Sequence, residues 1–254
     1  MSKSEIKFIG TGSGKSSLNR YFSSFIISGQ NYNLLIDAGD GISRAFLSQK
    51  ISFSFVDGIL LTHLHPDHYS GLASLIVQMK LTDRKNALQI FVHKNLKQAV
   101  EDFLYHSYIF KERMGFEIVI KTFQHNKLFR INNSFNFVGR QNSHLNKYKE
   151  YADERNLNFP CGSFLFEIEN KKIFYTGDIG SNDDLYLFKD FKPDIIISEI
   201  THIDFAEISK AYESLKPDKI YLTHISDEDE HFLINAVRSQ KNIILVVDGF
   251  TIQI

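Results

Sequence analysis

With 254 residues the chain has room for one large domain or two small ones, and 29 Lys plus Arg against 30 Asp plus Glu give a formal net charge of −1, which excludes the globally basic character of a protein that coats nucleic acid. Hydrophobic residues at 43% and charged residues at 23% exclude an intrinsically disordered chain. The one cysteine, Cys161, excludes an internal disulfide and a thiolate-pair metal site.

In chain order, residues 6–10, 21–28 and 32–37, rich in Ile, Leu and Phe, predict three strands. Residues 39–50 have helical spacing, and 56–62 predict a strand that runs into a polar, histidine-rich loop. Residues 67–81 then read as a helix, and strands at 90–93 and 117–123 flank a helix near 95–114. In the second half, 134–140, 163–168 and 172–176 are strand-like, with Asn170-Lys171 as a hairpin turn. Strands at 195–198, 219–223 and 243–247 alternate with helices at 205–215 and 228–239, and 250–254 closes the chain. The polar stretch 142–158 reads as a loop or short helix. Two similar halves, roughly 1–130 and 131–254 of a single domain spanning 1–254, point to two packed sheets with helices outside. Residues 1–7 hold no apolar signal core, and the longest aliphatic runs have about five residues where a bilayer span needs roughly 18. A cytoplasmic protein with no membrane partner is expected.

The ten histidines carry the chemistry through their positions. His63, His65, Asp67 and His68 follow the strand 56–62 within six residues. Three imidazoles and a carboxylate that close are costly, because each polar group needs a partner and protonated imidazoles repel. A divalent metal resolves both problems. His63 and His65 on an extended segment can converge on one ion, and Asp67 and His68, past Pro66, can aim at a second. His144, Asp178 and His224 each follow a predicted strand, as Asp37 does, so the same placement recurs at the carboxyl ends of strands.

The run His63-x-His65-x-Asp67-His68, followed in order by His144, Asp178 and His224, resembles the metallo-β-lactamase superfamily over essentially the whole chain. The resemblance implies an α/β fold, an αββα sandwich of two mixed β-sheets with helices on both outer faces. It implies His63, His65 and His144 on one ion and Asp67, His68 and His224 on the other. Asp178 would bridge the two ions, and Asp37 would support the ligand loop from behind. The opening Phe8-Ile9-Gly10-Thr11-Gly12-Ser13-Gly14 and the run Leu222-Thr223-His224-Ile225-Ser226 are similar to ribonuclease Z and its phosphodiesterase relatives. So is His202, 22 residues before His224, where ribonuclease Z has a histidine proposed to protonate the leaving oxygen. Here His202-Ile203-Asp204 replaces the family's His-x-Thr, and Asp204 is expected to pair with His202. No Gly/Pro-rich insertion matches the arm that grips the tRNA elbow, so the small cyclic phosphodiesterases of that branch are the better match in size.

The resemblance implies hydrolysis of a nucleotide-type phosphodiester, a cyclic nucleotide or an RNA 3′ end, by two divalent ions that share a hydroxide. Zinc suits these ligand sets, and carboxylate-bearing sites also accept manganese or iron. Asp67 would orient or deprotonate the attacking water, His202 would act as general acid, and Lys15, Ser16 or nearby backbone amides would hold a non-reacting phosphate oxygen. Two other readings use the same ligands: a metallohydrolase of a lactone, thioester or β-lactam, and a non-catalytic metal-binding nucleotide sensor. The branch is commonly dimeric, which makes a homodimer the expectation. Residues 10–16 fall short of a P-loop, which needs four residues between its glycines, and read instead as a tight loop using glycine dihedrals. His93, His106, His125 and His231 fit no motif and read as structural. Cys161 reads as a small loop or core residue, and 147–155, mixed in charge, as a solvated face, a substrate wall or an oligomer contact.

Overall fold

Unbroken apolar runs, more than alternation, mark the strands of this chain, and such runs belong to sheets covered on both faces. Leu34, Leu35 and Ile36 are all buried, as are Ile195, Ile196 and Ile197. The computed structural model describes residues 4–29, 31–152 and 158–254. Asp153, Glu154 and Arg155, part of the mixed-charge segment, lie outside the described residues. The chain forms two units, Met1–Gln124 with Asp248–Ile254, and His125–Val247.

In the first unit, seven strands form one sheet. They are β1 (Glu5–Gly10), β2 (Ser24–Gly29), β3 (Tyr32–Ile36), β4 (Gly58–Leu60), β5 (Leu88–His93), β6 (Ile118–Phe123) and the last described strand, β14 (Thr251–Gln253). Their order is β14-β1-β2-β3-β4-β5-β6, antiparallel as far as β3 and parallel beyond it. The parallel connections carry helices: α1 (Ile42–Ser48) after β3, α2 (Pro66–Tyr69) and α3 (Leu72–Leu81) after β4, and α4 (Lys97–His106) after β5. Ala45, Phe46, Leu75, Ile76 and Met79 of α1 and α3 join Ile26, Leu35, Ile59 and Ile90 of the sheet in one buried core. Burial of each large aliphatic or aromatic side chain there contributes roughly 1.5–3 kcal/mol.

The second unit repeats the pattern. β7 (Leu128–Arg130), β8 (Phe135–Gln141), β9 (Gly162–Ile168), β10 (Lys171–Tyr175), β11 (Ile195–Glu199), β12 (Lys219–Thr223) and β13 (Ile243–Leu245) form a second seven-stranded sheet. It is antiparallel from β7 to β10 and parallel from β10 to β13. The helices α5 (Phe205–Leu215) and α6 (Asp227–Val237) follow β11 and β12, and Ile208, Ala211 and Leu233 share a core with Phe174, Ile196, Ile220 and Leu222. Among the described residues no helix is long and apolar enough to cross a membrane.

Four local readings are corrected. The helix expected at 67–81 is two helices, broken at Ser70-Gly71. The break lets α2 press against the loop after β3: a Cβ on Gly39 would lie 1.8 Å from the Asp67 carbonyl oxygen, and one on Gly71 would lie 2.0 Å from that of Gly39. Backbone bonds clamp the same contact, Ala38 N donating to His68 O at 2.7 Å and Gly71 N to Ala38 O at 2.9 Å. The helix expected to reach 114 ends at His106, where Tyr108 takes a positive φ and Ile109 turns back into the core. The hairpin turn falls on Glu169-Asn170, both at positive φ, one residue before the expected pair. Finally, β7 has no counterpart among the expected strands; it is a three-residue edge strand with an exposed Leu128.

Candidate metal centre

Three residues past β4 the chain is extended, so His63 and His65, two positions apart, project to one side. Their rings lie 4.6 Å apart by centroid, and His63 and His68 lie 4.3 Å apart. Pro66 at the first position of α2 starts the turn that brings Asp67 and His68 back to the histidine pair. His68 is fully buried, with its Nε2 3.3 Å from Asp67 Oδ2. Gly14 of the opening loop packs on this carboxylate, since a Cβ there would stand 2.9 Å from Asp67 Oδ2.

Behind these ligand-type residues stands Asp37, fully buried, in the left-handed region at φ 60°. It accepts from Thr62 N at 2.8 Å, from Thr62 Oγ1 at 2.9 Å and from His68 Nδ1 at 2.8 Å. Thr62 Oγ1 spends its proton on Asp37, so it receives the proton of His63 Nδ1 at 3.0 Å. Both imidazoles therefore carry hydrogen on Nδ1 and present Nε2, the form a metal ligand needs. Burial pushes the Asp37 carboxyl above the usual carboxylate range, and the bonds from His68 and Thr62 oppose that push.

In the second unit His144, Asp178 and His224 come together from the ends of β8, β10 and β12. Asp178 Oδ2 lies 3.7 Å from His144 Nε2 and 3.4 Å from His224 Nε2, and all three side chains are about 3% exposed. The connecting loops are tied from below. Asn142 Nδ2 donates to the carbonyl of Asp178 at 2.9 Å and to Ser163 Oγ at 3.1 Å, while its Oδ1 accepts from His144 N at 3.3 Å. Asp184, 5% exposed, accepts from Ser143 N and Oγ, Gly180 N and Ser181 N. It thereby holds the loop bearing His144 and the loop after Asp178. Asp184→Ala is expected to keep the fold by circular dichroism and to weaken metal binding about 10–100-fold, the usual cost of losing such support; a metal titration reads it.

His202 stands beside this group, its ring centroid 5.0 Å from that of His144 and 5.7 Å from that of His224. Its partner is Glu199, at the end of β11 and 1% exposed, with Oε1 2.8 Å from His202 Nδ1 and Oε2 accepting from His202 N at 2.9 Å. Glu199 also accepts from Ile179 N at 2.8 Å. The hydrogen bond to the Glu199 carboxylate raises the His202 pKa above the ordinary imidazole value, against the opposing effect of burial. Thr201 Oγ1 bonds the His224 carbonyl, which joins the His202 loop to the end of β12. The expected partner, Asp204, stands instead at the N-cap of α5. Glu199 was missed by sequence reasoning, although it obeys the placement rule of the other polar groups: a carboxylate closing an apolar strand.

Each unit thus assembles part of the expected set. The first holds His63, His65, Asp67 and His68 over Asp37; the second holds His144, Asp178 and His224 beside His202. Within them, ligand atoms of His63 and His65, of Asp67 and His68, and of Asp178 with both His144 and His224 lie within 4.8 Å of one another. Imidazole nitrogens converging with carboxylate oxygens are a donor set for a divalent cation, so the residues fit the metal that the motif implies. Four histidines have other settings. His93 Nδ1 accepts from Asn95 N, and burial holds its pKa below the ordinary imidazole value. His106 Nδ1 bonds Asp102 O, His231 contacts Asn235, and His125 lies where a Cβ on Gly139 or Gly162 would touch its ring. Cys161 is buried, with Sγ 3.8 Å from the Asp178 carbonyl. In the opening loop the glycines serve close approach instead of special dihedrals, a Cβ on Gly10 lying 2.0 Å from the Phe22 carbonyl oxygen, while Lys15 and Ser16 are exposed.

Comparison with known proteins bears on the family and the fold. The family model described as anti-Pycsar protein Apyc1 matches residues 4–248. Ribonuclease Z of Saccharolobus islandicus (strain L.S.2.15 / Lassen #1) is 36% identical over 104 residues, 41% of this chain and 34% of that protein. The chain thus spans about a third of the length of the curated relatives it matches first. Ribonuclease Z of Pyrococcus furiosus is 26% identical over a 264-residue alignment, covering 85% of this chain and 83% of the relative. Among solved structures, the metallo-β-lactamase fold protein YhfI from Bacillus subtilis matches with a TM-score of 0.76 at 16% identity over 100% of both chains, which shows the metallo-β-lactamase fold here.

Proposed function

The chain belongs to the anti-Pycsar protein Apyc1 family, and on that premise we propose that it is a metal-dependent phosphodiesterase acting on a nucleotide-type phosphodiester, a cyclic nucleotide or an RNA 3′ end. In this reading His63, His65 and His144 hold one divalent ion, Asp67, His68 and His224 hold a second, and Asp178 serves both. Zinc is the proposed metal, since nitrogen-rich sets with a shared carboxylate suit it. When bound, such ions lower the pKa of a water towards ~7 and polarise a phosphoryl oxygen.

The chain's own groups do the rest. Asp67, 13% exposed and backed by the Gly14 loop, is placed to orient the attacking water and accept its proton. His63 and His68 keep Nε2 presented because Thr62 and Asp37 fix their tautomers. His202, whose side chain is 35% exposed, holds a proton with Glu199 behind it and passes it to the departing oxygen.

The observation that carries the reading is this acid beside the ligand group. An alkoxide leaving from phosphorus needs a proton, and a buried carboxylate keeps the imidazole ready to supply one. A sensor that only binds metal has no use for such a pair. The test is turnover of bis(p-nitrophenyl) phosphate beside nitrocefin and a lactone by the zinc-loaded protein. Phosphodiester hydrolysis alone is expected; faster turnover of the lactone or nitrocefin assigns the site to carbon electrophiles. Precursor tRNA is expected to be no better a substrate than a short oligonucleotide with the same 3′ end, and a large preference for intact tRNA, lost at high salt, would reverse that part.

A further inference from the structure

A cavity of about 350 Å³ lies beside His202 in the second unit, bordered by Asn182, by Ile200 and Asp204 of the loop after β11, and by Asp229 and Phe232 of α6. Its size falls in the range of roughly 300–1,000 Å³ typical of small-molecule sites. Phe232 is 64% exposed, three residues after Asp229 on the same face of α6. Ile200 is buried in the wall. Beside His202 and Thr201, the polar groups on the lining are the carboxylates of Asp204 and Asp229 and the amide of Asn182, with no lysine or arginine among the described residues there.

This lining selects its ligand. A phosphate would meet the carboxylates of Asp204 and Asp229, while the one basic group on the lining, His202, is already paired with Glu199, so the cavity does not suit the phosphodiester itself. A flat heteroaromatic ring can stack on the exposed phenylalanine, and carboxylates accept strongly from N–H groups on the ring edge. We propose that this cavity is a subsite for the nucleobase on the leaving-group side of the substrate, and that it prefers a base bearing an exocyclic amino group.

The side of the substrate follows from the proposed phosphodiesterase activity, on which that part of the inference rests. His202 lines the cavity with its Nδ1 taken up by Glu199, and a group that protonates the departing oxygen stands next to the departing nucleoside. Of the acidic first turn of α6, Asp229 is the residue that lines the cavity, and with Asp204 it disfavours a further phosphate there.

The test is binding by the whole zinc-loaded chain. Adenosine and purine riboside, which lacks only the amino group, are titrated in turn and followed by backbone amide resonances, with inorganic phosphate as a third probe. Adenosine is expected to shift residues 200–204 and 229–232 and to bind about 10-fold or more tightly than purine riboside, the scale of a hydrogen bond to a charged acceptor. Phe232→Ala removes an exposed side chain and should weaken adenosine binding roughly 5- to 100-fold, the range for loss of one base–aromatic stack. Asp229→Asn should narrow the preference for the amino-bearing base. Equal binding of the two nucleosides together with an unaltered Phe232→Ala variant, or phosphate shifting the same resonances as adenosine, overturns the subsite. Turnover of bis(p-nitrophenyl) phosphate without nucleoside binding sinks the subsite alone. Nucleoside binding without any ester turnover upholds the cavity and rejects the phosphodiesterase reading.

Discussion

Asp178→Ala is expected to release most of the bound metal and to lower phosphodiester turnover by about 10³-fold or more, the largest effect of any single ligand change. Its Oδ2 lies within 4 Å of both His144 Nε2 and His224 Nε2. Removing it leaves two buried imidazoles without the negative charge that makes a nearby cation favourable. The backbone at this position keeps its ties, because Asn142 and Cys161 bond the Asp178 carbonyl and not its side chain. The fold should therefore survive, as circular dichroism would report. Asp178→Asn preserves shape while removing the charge, and it should also lose metal. Retention of metal and near-normal turnover in both variants would reject the assignment of Asp178.

His202→Ala is expected to keep metal binding and to slow esters with poor leaving groups by roughly 10²–10⁴-fold, the usual range for a lost general acid. Esters that release nitrophenolate need no proton at the oxygen and should lose far less. Glu199→Gln should fall between the wild type and His202→Ala, since it keeps the bond to the ring but weakens the charge that holds the proton. The measurement is the ratio of variant to wild-type rates across a series of leaving groups. A ratio that stays flat from alkoxide-like to nitrophenolate esters would return His202 to a structural role.

Much of this was legible because chemistry and topology coincide in the sequence. His63, His65, Asp67 and His68 stand in one run, and Asp37, His144, Asp178 and His224 each follow a predicted strand, a placement that together with the family resemblance marked them as candidates. The helix at 205–215 was read with the bounds it has, its apolar spacing being uninterrupted. What was not legible depends on groups meeting in space. Asp204 is nearer the His202 motif in reading, but Glu199, three residues earlier in the chain, holds the ring. Asn142 and Asp184 are ordinary polar residues until the loops they bond are folded side by side. The break between α2 and α3 leaves no mark in hydrophobic periodicity, because its cause is the backbone of Gly39 pressed against Asp67. β7 is short and partly exposed, so it presents no apolar run to read.

The central claim is that these two groups of residues hold divalent metal for phosphodiester hydrolysis. Its most direct test is to strip the protein with chelator and titrate zinc back while measuring bound metal and turnover of bis(p-nitrophenyl) phosphate in the same samples. Turnover should vanish on stripping and return as binding approaches two equivalents per chain. A reproducible ceiling of one equivalent, with Asp67, His68 and His224 replaceable without loss of metal, would contradict the two-ion assignment, and turnover untouched by stripping would contradict the claim as a whole.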